Sequence, residues 1–97
     1  MANKRSPFNT TLTLTVADTE YPYTFPVGAV SLYLKSRSNY RIKLSWQSGE
    51  SGTTYFGVGD GSSYSEDGLY AVGGAPLILY AQCPVAGAIL EIVGWRA

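Results

Sequence analysis

Few residues in this chain could do chemistry. Its 97 residues include no histidine, so a serine or cysteine nucleophile would need a lysine or a carboxylate as its base, and no such pair is set up by the spacing. Cys83 stands in an apolar stretch beside Pro84, where a buried thiol packs as a small hydrophobe rather than reacting. Glu66 and Asp67 are adjacent, with Asp60 nearby. Paired carboxylates cleave glycosides only when they face each other across a cleft, and neighbours on a strand point to opposite faces. Asp60, Ser62 and Glu66 offer oxygens of the kind calcium prefers, without the denser acidic spacing of a dedicated calcium loop. Gly57-Val58-Gly59-Asp60-Gly61 lacks the lysine and hydroxyl residue of a phosphate loop and opens no helix, so it reads as a turn. The expectation is a protein that is not an enzyme and holds no cofactor or metal.

What the chain has in excess is tyrosine, eight in all. Tyrosine combines a wide apolar ring with a hydroxyl and suits protein interfaces and sugar platforms alike. Tyr55, Tyr64 and Tyr70 border the glycine-rich turns, where exposed rings could take a carbohydrate or a partner protein. Tyr33 shares a strand face with Lys35 and is the better surface candidate, whereas Tyr23 and Tyr40 fall in register with core positions.

Charge is unevenly spread. Residues 1–48 hold six basic and two acidic groups, and residues 49–97 hold one basic and five acidic. The whole chain is neutral, which predicts no general pull toward nucleic acid. Lys35, Arg41 and Lys43 are expected on the polar face of one hairpin, where like charges are unfavourable unless acids lie close. Glu50, Asp60, Glu66 and Asp67 are the acids that could neutralise them within the domain. If those acids lay on the far side instead, basic and acidic patches of adjacent copies could meet head to tail and close a ring.

These side chains must be positioned by strands. Two-residue alternation recurs along the chain and helical spacing is nearly absent. Residues 11–16 place Leu12, Leu14 and Val16 on one face and threonines on the other. Tyr21, Tyr23 and Phe25 alternate with Pro22, Thr24 and Pro26, and the prolines confine this segment to an edge or a connection. Residues 30–35 and 40–46 alternate on either side of Ser36-Arg37-Ser38-Asn39 and are expected to form a hairpin. Residues 47–54 read as a loop, followed by short strands at 55–58 and 62–67, with residues 69–72 continuing the second. The segments 77–83 and 88–95 are the most apolar and are expected as central strands covered on both faces. The fold class is all-β: an antiparallel β-sandwich of seven or eight short strands, jelly-roll-like or immunoglobulin-like, with a compact barrel as the competing closure.

At 10.4 kDa and 45% hydrophobic residues the chain has one core's worth of material. Residues 1–10 read as a flexible N-terminal arm and 11–97 as one domain. In that reading the arm orders on a neighbour, with Pro7 and Phe8 as anchor and Lys4 and Arg5 as charged contacts. No run approaches the length that spans a bilayer, and the first residues lead into polar threonines rather than an apolar signal core, so no membrane partner is expected. A lone cysteine forms no internal disulfide and fits assembly in a reducing cytoplasm.

Phe25-Pro26-Val27-Gly28-Ala29, then Tyr33-Leu34-Lys35-Ser36-Arg37, Ser63-Tyr64-Ser65-Glu66-Asp67-Gly68-Leu69 and Val93-Gly94-Trp95 together resemble a group of small β-proteins encoded by tailed bacteriophages. The resemblance runs loosely over residues 20–96. It implies a virion component such as a capsid decoration or cement protein, present in many copies, frequently as homotrimers, and bound to the major capsid protein. The alternatives are a carbohydrate- or receptor-binding module of a tail fibre or spike, built on the Tyr55 to Tyr70 loops, and a tail or baseplate subunit.

Overall fold

The computed structural model describes residues 6–59, 61–67 and 76–96. They form eight strands: β1 (Ser6–Leu14), β2 (Tyr21–Thr24), β3 (Ala29–Ser36), β4 (Ile42–Ser45), β5 (Phe56–Val58), β6 (Ser63–Asp67), β7 (Ile78–Gln82) and β8 (Ala88–Arg96). Two four-stranded antiparallel sheets result, ordered β1-β8-β3-β6 and β2-β7-β4-β5. The pairs β1 with β8, β2 with β7, β3 with β6 and β4 with β5 are those of one long hairpin folded back on itself. Rolling that hairpin up adds β3 against β8 and β4 against β7. The all-β sandwich is therefore a jelly roll, and the immunoglobulin-like and barrel closures do not occur.

Alternation decides which side chains fill the interior. Leu14 on β1, Leu32 and Leu34 on β3, Ile42 and Leu44 on β4, and Leu90 and Ile92 on β8 are buried between the sheets. One end of the core is aromatic. Phe25 is buried with Tyr23 edge-on at 4.8 Å, Phe8 edge-on at 6.4 Å and Trp46 tilted at 6.1 Å between ring centroids.

Three expectations change here. Residues 30–35 and 40–46 form no hairpin: β3 and β4 lie in opposite sheets, and residues 37–41 cross from one to the other, with Asn39 at φ 60° in the turn. Alternation reports that one face of a strand is buried, not which strand lies beside it. Residues 6–10 belong to the domain and not to the expected arm, because β1 begins at Ser6 and stays in register with β8 to its end, from Ser6 opposite Arg96 to Leu14 opposite Ala88. Phe8 anchors β1 to its own domain rather than to a neighbour, and Lys4 and Arg5 lie outside the described residues.

The apolar segments at 77–83 and 88–95 do supply interior strands, β7 and β8, but one to each sheet. On its second side β8 goes from half-buried Ile89 and Glu91 to exposed Val93 and Trp95, whereas β7 is half-buried throughout, at Ile78, Tyr80 and Gln82. The β4–β5 loop is held at this sheet by Ser51, which is fully buried. The Ser51 hydroxyl donates to Glu20 Oε1 and accepts from Gln82 Nε2 at 3.0 Å, while the backbone N–H groups of Gly49 and Ser51 donate to the same Glu20 carboxylate at 2.8 and 3.1 Å. Among the described residues no such loop lies over the outer face of β8 at Val93 and Trp95.

Candidate functional site

Opposite residues of an antiparallel pair share a face. On the outer side of β1-β8-β3-β6 the register stacks three rows across the sheet. Pro7, Trp95, Ser31 and Asp67 form the first, Asn9, Val93, Tyr33 and Ser65 the second, and Thr11, Glu91, Lys35 and Ser63 the third. Tyr33, Val93 and Trp95 are 40%, 43% and 44% exposed. Tyr33 is directly opposite Val93 and diagonal to Trp95, and Val93 and Trp95 follow each other on the same face of β8, so the three make an apolar centre on an open sheet face.

Charged groups rim that centre. Arg37 Nε donates to Glu91 Oε2 at 2.8 Å, and Lys35 Nζ stands 4.0 Å from Glu91 Oε1. Among the described residues two cations share one carboxylate at this corner, while Asp67 holds the diagonal one. At the basic end a cleft of about 270 Å³ opens between Tyr33, Lys35, Arg37, Asn39 and the turn at Gly61 to Ser63. The Gly61 N–H donates to Asn39 Oδ1 and fastens the two crossing loops that wall it.

Among the described residues the expected site residues divide between the two sheets. Tyr33 and Lys35 lie on this face. Lys43 projects from the opposite sheet, its Nζ 5.1 Å above the ring of Tyr55, and Arg41 precedes β4 on that same side. The basic hairpin therefore does not exist as a unit. Tyr64 turns inward, its ring 4.6 Å from Phe56 and its hydroxyl donating to Glu66 at 2.7 Å. Burial pushes the Tyr64 hydroxyl above its ordinary pKa, and the bond to Glu66 adds to the shift. Tyr70 and Asp60 lie outside the described residues. With Tyr64 inward and Tyr55 under Lys43, these two do not form the shared aromatic platform expected of the glycine-bordered loops.

The sequence reading missed Val93, Trp95, Arg37 and Glu91. The signal was present in β8, where Ile89, Glu91, Val93 and Trp95 alternate with Ala88, Leu90, Ile92 and Gly94. The charged Glu91 in the first of these sets marks that face as the one that meets water. Among the described residues Glu91, rather than Glu50, Glu66 or Asp67, is the acid paired with Lys35 and Arg37, and Asp60 lies outside them.

Chemically, the face presents apolar, aromatic and charged groups of the kind that bind. Among the described residues no three His, Cys, Asp or Glu side chains gather as metal ligands. Cys83 is buried, its Sγ donating to the Arg41 carbonyl at 3.3 Å. No known protein family matches the chain, and no curated protein or solved structure is significantly similar to it.

Proposed function

We propose that this protein is a structural subunit of a tailed-bacteriophage particle, a decoration or cement protein that docks in many copies on the lattice of the major capsid protein. The observation that carries the docking part is the exposed Tyr33, Val93 and Trp95 centre on the outer face of β1-β8-β3-β6, rimmed by Lys35, Arg37, Glu91, Asp67 and Asn9. An apolar, aromatic centre inside a polar rim is the usual anatomy of a protein interface, and tyrosine and tryptophan are frequent anchors there. Repetition over a shell makes modest contacts sufficient through multivalency. The assignment to a phage rests on the motif resemblance in residues 20–96.

The experiment is co-sedimentation of the purified protein with intact phage heads, beside Val93→Glu. Residue 93 points outward, so the charge enters the face and not the core. Wild-type protein pelleting with heads and loss of that binding in V93E are expected. Wild-type protein that stays in the supernatant, or V93E that binds equally well, would overturn the proposal.

A second reading, a carbohydrate- or receptor-binding module, is favoured by one feature. The Tyr33 ring borders the 270 Å³ cleft beside Lys35, Arg37 and Asn39, a ring-and-donor arrangement that fits a sugar. Saturable binding on a glycan array that is lost in Tyr33→Ala would support it over docking on heads.

A further inference from the structure

A sandwich of two sheets has four edge strands, and each edge offers unpaired backbone groups to another chain unless something blunts it. Three are blunted here. The edge strand β2 has four residues and contains Pro22, β5 has three residues, and β6 ends in Glu66 and Asp67. The fourth, β1, runs for nine residues from Ser6 to Leu14 without a charged side chain. It is hydrogen-bonded to β8 on one side only, and among the described residues nothing pairs with its other side. Pro7 lies near its start, which leaves residues 8–14 as an uninterrupted template rich in threonine and leucine, good strand-forming material.

We propose that β1 is the seam of a two-fold homodimer, in which residues 8–14 of two copies pair antiparallel about Thr11 and join the two outer sheets into one eight-stranded sheet. The occupant is a second copy because the strand is complementary to itself. Pairing about Thr11 sets Asn9 against Thr13 and Thr11 against Thr11 on the outer face. On the inner face it sets Phe8 against Leu14 and Thr10 against Leu12, so the inside and outside of both copies coincide. Threonine pairs across strands are favourable, and an uncharged strand meets no like charge in its mate. A two-fold contact is also closed, consuming the free edge of both copies instead of leading to a filament. The inference rests on the assembly reading in that copies of this protein work together, and it assigns a pair where the phage resemblance implies a trimer. It also places the two Tyr33, Val93 and Trp95 centres on one continuous surface.

The test needs no phage particle, so its failure is separable from failure of docking on heads. Sedimentation equilibrium of the full chain over a range of concentrations is expected to give a reversible mass of twice 10.4 kDa. Thr11→Lys sets two ammonium groups opposite each other at the dyad and should move the monomer–dimer midpoint to at least roughly fivefold higher concentration. Within its own sheet residue 11 is exposed and faces Glu91, so the T11K monomer should keep its thermal midpoint. Opposed residues of an antiparallel pair are about 4.5 to 5.5 Å apart at Cα, inside the range a disulfide spans. Thr11→Cys should therefore oxidise to a covalent dimer, whereas Thr53→Cys, on the exposed β4–β5 loop, should not at the same concentration. A wild-type mass that stays monomeric or settles at a trimer would overturn the proposal. A dimer indifferent to T11K, or one that T11C does not cross-link, would overturn it too.

Discussion

Gly94 on β8 is the position where the sandwich has least room. Its place in the register is between Phe8 on β1 and Leu32 on β3, on the inner face. A Cβ added there would lie 2.5 Å from Phe8 Cζ, 2.8 Å from Phe8 Cε1 and 2.7 Å from the carbonyl oxygen of Ser31. The first two contacts belong to a side chain, but one held by its edge-on contact with the buried Phe25 ring. The third is backbone and cannot withdraw without disturbing β3. Overpacking of this kind costs about 1 to 3 kcal/mol, and the two-sided clash places Gly94→Ala in the upper part of that range. Alanine also narrows the unfolded ensemble, which returns roughly 0.4 to 1 kcal/mol. The clash wins, leaving a net loss of about 1 to 2 kcal/mol. For a domain of this size that lowers the melting temperature by roughly 5 to 15 °C. Differential scanning calorimetry of wild type, G94A, Phe8→Ala and the double variant measures it. Because removing the ring relieves two of the three contacts, the double variant should lose at least about 0.5 kcal/mol less than the sum of the singles. A G94A protein that melts with wild type, or strict additivity of the two substitutions, would refute the packing account.

Further expectations concern the loop, the thiol and the first strand. Burial would raise the Glu20 carboxyl, but the bonds donated by the Ser51 hydroxyl and by the Gly49 and Ser51 amides outweigh it and hold the group below 4.5. A carboxylate with a depressed folded pKa stabilises the fold above its unfolded pKa and loses that contribution as pH falls through the folded value. The Gly49 and Ser51 amide resonances should therefore titrate together with a midpoint below 4.5, and Glu20→Gln should abolish the transition; a midpoint at or above 4.5 would contradict the network. Cys83, fully buried, should stay unreactive toward an aromatic disulfide reagent in native protein and react fully in denaturant, whereas rapid native labelling would show that β7 opens readily. Removing residues 1–10 takes away the first half of β1 with Phe8, so the truncated chain should show a lowered or absent cooperative melt; an unchanged melt would mean that β1 is dispensable.

Local chemistry was legible in the sequence wherever it acts over a few residues. Pro22 and Pro26 marked the β2 segment as peripheral, and Leu12 and Leu14 marked an inward face with threonines outside it. The apolar content of β7 and β8 marked them as interior. Partner choice was not legible, because Leu32 and Leu34 on β3 and Ile42 and Leu44 on β4 face the same interior from opposite sheets, a pattern a hairpin would also produce. The site was obscured for the same reason. Tyr33 was visible as an outward residue, but Val93 and Trp95 join it only through the register of β3 with β8, which brings together residues far apart in the chain. Lys35 looked like a partner for Arg41 and Lys43 by proximity in sequence, yet its neighbour in space is Glu91.

The rolled hairpin also sets a timetable for synthesis. β1 emerges from the ribosome first among the strands, yet its neighbour, β8, is made last, so residue 6 must wait for residue 96. At about 5 to 20 residues per second this wait lasts several seconds, during which β1 has no place in a sheet. Closure by such distant contacts makes folding slow compared with helical domains of similar length. While it waits, β1 exposes both hydrogen-bonding sides of an uncharged strand to the nascent chains of neighbouring ribosomes. High expression at elevated temperature should therefore shift this protein toward inclusion bodies well before its equilibrium stability is lost.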